Sequence, residues 1–209
     1  MKQNHSLKDD VRNKIITEIL IGTFPVNSIV TEKQLIEMFT VSKTTLREAL
    51  VELRNENVLE SMPRYGYRIV ELNRNDIEDA MEVRMLLELA GLEKSIHQLD
   101  ENKINMLKNY NDECERTRIS ADLWTHWNNN IKFHLLLNSL AGNTWMQTML
   151  DKTMSIISRA YAQSYWEQWG NSAASLDIDT HREIVSSLEN KEFDKAKQKL
   201  VEDILSLKI

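Results

Sequence analysis

Two short amphipathic stretches lie almost end to end near the start of the chain, and the join between them leaves few folds open. Thr31-Glu32-Lys33-Gln34-Leu35-Ile36-Glu37-Met38-Phe39 and Ser42-Lys43-Thr44-Thr45-Leu46-Arg47-Glu48-Ala49-Leu50 are separated by Thr40-Val41 alone. Each begins on a hydroxyl, Thr31 or Ser42, that can accept a bond from a backbone N–H left free in the first helical turn. In the second stretch Leu46, Leu50 and Leu53 recur at three- and four-residue spacing and make one apolar stripe. Lys43, Thr44, Thr45 and Arg47 stand on the other side, within the first turn and a half. A solvated helix face would meet the same pattern, but a join this short is the one a helix-turn-helix needs.

The flanks favour that reading. Residues 7–21 predict an earlier helix whose buried face is Val11, Ile15, Ile16 and Ile19. Val58-Leu59-Glu60-Ser61 and Tyr67-Arg68-Ile69-Val70 read as short strands around the turn Met62-Pro63-Arg64-Tyr65-Gly66. Three helices and a basic hairpin outline a winged helix-turn-helix. Arg and Lys reach guanine acceptors in the major groove, while Thr bonds phosphate or touches a thymine methyl. The expected DNA contacts are therefore Ser42, Lys43, Thr44, Thr45 and Arg47, with Lys33 on the preceding helix and Arg64, Tyr65 and Gly66 in the wing. Arg12 and Lys14 lie off the first helix's stripe and are placed either for phosphate or for solvent. Tyr65 could equally pack across the hairpin. Gly66 permits a tight turn or a close approach to DNA.

These residues resemble the reader domain of GntR-family transcription factors. The likeness runs through Ile19-Leu20-Ile21-Gly22-Thr23-Phe24-Pro25, Thr31–Leu35, Val41–Leu50 and Tyr65-Gly66-Tyr67-Arg68-Ile69-Val70. Two positions depart from the family pattern. Asn27 stands where the family usually has glycine, and asparagine tolerates left-handed backbone. Lys43 stands where arginine is usual, which gives up a bidentate fork.

The net charge of −6 divides unevenly. Residues 1–72 carry ten Lys/Arg and ten Asp/Glu, and the rest carries sixteen against twenty-two. An acidic second half leaves room for a local basic surface but limits non-specific affinity for DNA. The single cysteine, Cys114, excludes an internal disulfide and a Cys-rich zinc site, as in a reduced, cytoplasmic setting. No apolar run approaches the roughly twenty residues that span a bilayer, and Met1–Ser6 lacks a signal peptide's apolar core, so no membrane partner is expected.

The pattern turns helical around Glu71–Arg74, which places a domain boundary there: 1–72 a DNA-binding domain, 73–209 an effector-binding and dimerisation domain. Asn75-Asp76-Ile77-Glu78 has the form of a capping box. Helices are expected to about 98, then over about 101–117, 121–141, 143–169, 177–190 and 192–207, with a break at Gly170-Asn171-Ser172. Both prolines precede residue 64, and short loops between helices suggest an antiparallel bundle. The fold class is thus mainly α, a winged helix-turn-helix followed by an all-helical antiparallel bundle.

This second half resembles the FCD domain, the helical effector module of the FadR branch of the same family. Arg84-Met85-Leu86-Leu87-Glu88, Phe133-His134, Ala141-Gly142-Asn143 and His181 with Glu183-Ile184 carry the likeness. The resemblance implies a divalent-metal site at Asn130, His134, His181 and Asp203, positions that usually read Asp, His, His, His. Two imidazoles, a carboxylate and an amide oxygen suit zinc, nickel or manganese, although asparagine is a poor transition-metal ligand. Two histidines on helices also occur as purely structural groups. Arg84 either pairs with Glu88 one turn on or, as the resemblance implies, clamps the carboxylate of a small organic acid. Arg159 is a second effector candidate, beside Asn130, His134 and His181. The tryptophans, Trp124, Trp127, Trp145, Trp166 and Trp169, are expected mostly in the core.

The chain is therefore expected to be a homodimeric, ligand-responsive repressor of genes for uptake or metabolism of a small organic acid. It would bind a pseudo-palindromic double-stranded operator, and a small carboxylate would shift the relative placement of its two reader domains. The rival classes are a metal-dependent hydrolase built on His126, His134 and His181, and a winged helix that binds protein. No glycine-rich phosphate loop, HExxH or recognisable nucleophile supports an enzyme.

Overall fold

The computed structural model describes residues 6–118, 123–165 and 177–206. In chain order its elements are α1 (Leu7–Leu20), β1 (Ile29–Val30), α2 (Glu32–Phe39), α3 (Lys43–Asn55), β2 (Leu59–Met62), β3 (Gly66–Ile69), α4 (Arg74–Ile96), α5 (Glu101–Thr117), α6 (Leu123–Ser139), α7 (Thr144–Tyr165), α8 (Asp177–Glu189) and α9 (Phe193–Ser206). The architecture is mainly helical with one small sheet, as the sequence predicts. Among the described residues, 6–73 and 158–165 group into one compact unit, and 74–157 with 177–206 into another.

In the first unit the helix starts are written in the caps. Ser6 and Asp9 close a capping box on α1, Thr31 and Gln34 close one on α2, and the Ser42 hydroxyl accepts from the Thr45 N–H at the start of α3. The turn between α2 and α3 runs through Thr40 in the left-handed region, φ 54°. Asn27 is also left-handed, at φ 64°, and its Nδ2 donates to Glu71. Val11, Ile15, Leu35, Leu46, Leu50, Leu53, Val58 and Ile69 close into one core. The sheet order is β1-β3-β2, antiparallel throughout. Strand β1 is absent from the sequence reading because two residues cannot show alternation.

Gly66 has φ 130°, and a Cβ there would lie 2.3 Å from the Val30 carbonyl oxygen. The close approach that requires glycine is therefore to β1 of the same sheet. Tyr65 at the hairpin tip is 69% exposed and does not pack across the strands; Tyr67 is the tyrosine against the core.

In the second unit Leu92, Leu107, Phe133, Leu137, Ile184, Leu200 and Ile204 form the core between helices. The limits of α5 are those expected. The expected capping box at Asn75–Glu78 is corrected: α4 already begins at Arg74, and Glu78 is held by Arg74 one turn back. Trp127 is core as expected, whereas Trp145 is 75% exposed. The side chain of Trp124, together with Trp166, Trp169 and the break at Gly170–Ser172, lies outside the described residues. No helix among the described residues is long and apolar enough to cross a membrane.

Candidate functional site

Two places carry the residues the sequence singled out. The first is the outer face of α3. Its stripe of Leu46, Ala49, Leu50 and Leu53 is buried, which turns Lys43, Thr44 and Arg47 outward. Those three residues line an open groove with Glu48 and Val51. Ser42 and Thr45 are partly occupied by each other, their hydroxyls 2.8 Å apart. Arg47 is not free either: its Nε donates to both carboxylate oxygens of Glu32, at 3.0 and 3.2 Å. That bond holds the Arg47 guanidinium even more firmly protonated than usual.

Arg12, read from the sequence as placed for phosphate or solvent, forks its guanidinium onto Glu56, while Lys8 holds Glu52, so these cations tie α1 to α3. Lys33 is exposed, with Glu37 3.9 Å away. Arg64 is exposed at the hairpin tip with φ 72°. Arg68 in β3 pairs with Glu60 across the hairpin.

The second place is inside the helical unit, where four helices meet around five buried side chains: Arg84 and Glu88 of α4, His134 of α6, His181 of α8 and Asp203 of α9. Close packing of α4 on α6 makes this possible. A Cβ on Gly91 would lie 2.0 Å from Asn138 Oδ1, so glycine leaves room for the buried Asn138 amide against α4. Arg84 Nε donates to Glu88 Oε1 at 2.6 Å, and His134 Nδ1 lies 2.6 Å from Glu88 Oε2. His134 Nε2 is 2.9 Å from Asp203 Oδ2, and His181 Nε2 is 3.6 Å from Asp203 Oδ1. Phe133 stacks on the His181 ring, centroids 3.8 Å apart, and fixes its plane.

Neither Nε2 makes a well-directed hydrogen bond, despite the short approach of His134 to Asp203. Buried polar atoms are rarely left this way. One donor atom each from His134, His181 and Asp203 lie within 4.8 Å of one another. Around an ion with bonds of about 2.0–2.2 Å, donors sit roughly 3–3.5 Å apart, so the three fit a divalent metal with a small closing movement. Asn130 is half-buried one turn before His134.

The electrostatics follow from burial and neighbours. Burial pushes His181 down, with the His134 charge adding to it, to about 3, so its ring is neutral and can act as a ligand. Burial also lowers His134, but the Glu88 carboxylate overrides it and the net shift is upward. Glu88 and Asp203 resist burial because His134 stands beside each, and both are held below the usual carboxylate range.

Of the expected effector residues, Arg84, His134 and His181 are brought together. Arg159 is not. It is buried in the other unit, where Nη2 donates to the carbonyls of Asn57 and Val70, each at 3.2 Å. Glu88 is the residue whose part was missed. The signal was in the sequence, since Glu88 is the i+4 partner of Arg84, but its bond to His134 comes from a distant helix.

Comparisons with known proteins identify both halves of the chain. Residues 7–69 match the family described as bacterial regulatory proteins, gntR family, and residues 79–205 match the FCD domain. The chain is 27% identical to the HTH-type transcriptional regulator YdhC of Bacillus subtilis over 187 residues, which is 89% of this chain and 82% of that one. It is 33% identical over 87 residues, 41% of this chain and 38% of the other, to a probable D-xylose utilization operon transcriptional repressor of Paenarthrobacter nicotinovorans. The solved structure of McbR/YncC from E. coli shares the fold, with a TM-score of 0.83 at 19% identity, covering 97% of this chain and 95% of that one. The chain thus belongs to the GntR family of bacterial regulatory proteins, in the FadR-like branch that carries an FCD effector-binding domain, and is a DNA-binding transcription regulator rather than an enzyme.

Proposed function

We propose that the chain represses genes for uptake or metabolism of a small organic acid, binding a pseudo-palindromic operator as a homodimer. Repression is the probable role of the Paenarthrobacter relative, and the proposal extends it to this chain. The reading residues are Ser42, Lys43, Thr44, Thr45 and Arg47, with Lys33 beside them and Arg64, Tyr65 and Gly66 in the wing. Arg12 is left out of the set because its Nε and Nη2 are on Glu56 and its Nη1 on Asn13, whereas Arg47 gives Glu32 only its Nε. Homodimerisation is supported by the outer side of α4, where Val83 and Leu86 are exposed at helical spacing beside exposed Ala90.

The observation that supports the effector reading is the convergence of two buried ring nitrogens on one carboxylate, His134 Nε2 at 2.9 Å and His181 Nε2 at 3.6 Å from Asp203. His134, His181 and Asp203 would hold zinc, nickel or manganese, with Asn130, one turn before His134 on α6, as the proposed fourth donor. A bound divalent ion supplies a Lewis-acidic anchor for carboxylate oxygens. Glu88 holds His134 through Nδ1, which leaves Nε2 as the ligating nitrogen. Arg84 keeps Nη2 without a hydrogen-bond partner, 4.0 Å from Asp203, which supports it as the side chain that would receive an organic acid. Such a ligand controls DNA binding only if it binds the DNA-competent and incompetent arrangements unequally.

The test selects DNA from a pool of duplexes with a randomised centre, using the full chain, then measures binding to the selected sequence. The measurement is repeated with zinc, nickel or manganese and a panel of di- and tricarboxylates. Arg47→Ala is expected to lose selective binding, whereas His134→Ala keeps it and loses the response to metal and carboxylate. Normal selectivity in Arg47→Ala would sink the DNA face. A full response in His134→Ala would sink the buried site.

A further inference from the structure

The carboxylate on Arg47 is the feature that the DNA-binding reading leaves without a purpose. Glu32 is the first residue of α2, whose start is fixed by the capping box of Thr31 and Gln34, so its carboxylate leaves a rigid point of the fold. It reaches across to α3 and takes the Nε edge of Arg47. Neither Nη of Arg47 is bonded among the described residues. A guanidinium held by Nε presents its outer Nη edge in a fixed direction, and a planar fork of that kind matches guanine O6 and N7. Arg47 is 58% exposed and Glu32 25%. Ion pairs this exposed contribute little to stability, so the pairing is better explained by what it does to Arg47 than by what it does to the fold.

The same carboxylate has an electrostatic consequence. Among the described residues of the first unit, Lys8, Arg12, Arg47 and Arg68 are each paired with a glutamate. A negative charge beside the reading arginine weakens attraction to any phosphate backbone, whatever its sequence. Loss of general affinity alongside a fixed fork is the combination that raises selectivity.

We propose that Glu32 is a positioning residue for base recognition: by holding the Nε edge of Arg47 it aims the guanidinium at a guanine and sets the preference at one position of each half-site. This rests on the reading of α3 as the DNA-contacting helix. The competing explanation is structural, since an acidic first turn also favours the helix dipole of α2.

The experiment applies the randomised-duplex selection to the full-length wild type, Glu32→Ala, Glu32→Gln and Arg47→Ala, with a thermal midpoint for each. Gln loses the charge that favours the dipole but keeps an oxygen that can accept from Arg47 Nε, so it separates the two explanations. The wild type is expected to enrich a motif with one guanine per half-site that Arg47→Ala no longer selects. In Glu32→Ala the preference for that guanine falls at least about fivefold, with other positions unchanged. Glu32→Gln retains it, and both Glu32 variants bind the unselected pool more tightly at low salt. An unchanged motif in Glu32→Ala overturns the proposal. So does a uniform loss at every position together with a lowered midpoint, which would make Glu32 merely structural. If the wild type enriches no sequence, or Arg47→Ala keeps the guanine, the DNA-contact reading itself fails.

Discussion

Two of the arginine–glutamate pairs in the chain look alike on paper and differ in burial, the property that decides what they can do. Arg47 and Glu32 meet at the surface of the first unit, Nε to Oε1 at 3.0 Å, with both side chains in reach of water. Arg84 and Glu88 meet at 2.6 Å inside the second, at 2% and 1% exposure. An exposed pair can exchange its partner for a base edge or for solvent at small cost. A buried pair cannot, because either charge left alone inside the bundle lacks any water to replace its partner. The first arrangement suits a surface that must release and re-form contacts, and the second suits a scaffold that must hold ligating nitrogens in place.

The largest expected effect comes from breaking the buried pair. Glu88→Ala leaves Arg84 with only Asp203, 4.0 Å away, and His134 without its Nδ1 partner, and is expected to destabilise the chain by about 3–5 kcal/mol in chemical denaturation. A cost below about 1 kcal/mol would mean that the cluster is wetter than its burial implies.

Next come the two glycines that let elements approach. Gly91→Ala presses a Cβ to 2.0 Å from Asn138 Oδ1, and a cost of about 1–3 kcal/mol is expected. Gly66→Ala meets backbone at 2.3 Å with φ at 130°, so the wing must shift and DNA binding should fall further than stability. Equal, negligible changes in both variants would contradict the packing described.

A smaller effect of opposite sign is expected at Lys191, which follows α8 in the left-handed region at φ 59°. Lys191→Gly should stabilise by roughly 0.5–1 kcal/mol, since glycine alone adopts that conformation without strain. The smallest is at the exposed pair, where Glu32→Ala should leave the denaturation midpoint unchanged. A midpoint that falls as far as that of Glu88→Ala would erase the distinction between the two pairs.

How far the sequence could be read differs between the same two regions. In the first unit the signals are local: Ser42 caps α3 three residues from its own target, and Leu46, Leu50 and Leu53 mark the buried stripe. Local signals survive without a structure. What they missed there was relational, such as the ion pair that takes Arg12 to Glu56, 44 residues away. Strand β1 was missed for the same reason, since Ile29 and Val30 are strand only because β3 lies beside them.

In the second unit the helices were legible from periodicity, but the cluster was not. His134, His181 and Asp203 lie on three helices, and only the likeness to FCD domains put them in one set. Arg84 could be read two ways, and the geometry shows the pair with Glu88 while leaving Nη2 without a bond. Arg159 was misplaced because an isolated buried arginine on a helix carries no sign of which carbonyls will claim it.

The most direct test of the account is the metal content of untagged protein by mass spectrometry. Wild type is compared with His134→Ala/His181→Ala, each purified without chelator and resupplied with zinc, nickel and manganese. The account predicts stoichiometric metal in the wild type and none in the double variant. Wild-type protein that takes up no metal would contradict it, and would leave Arg84 and Glu88 as a structural pair beside two histidines with no ligand to hold.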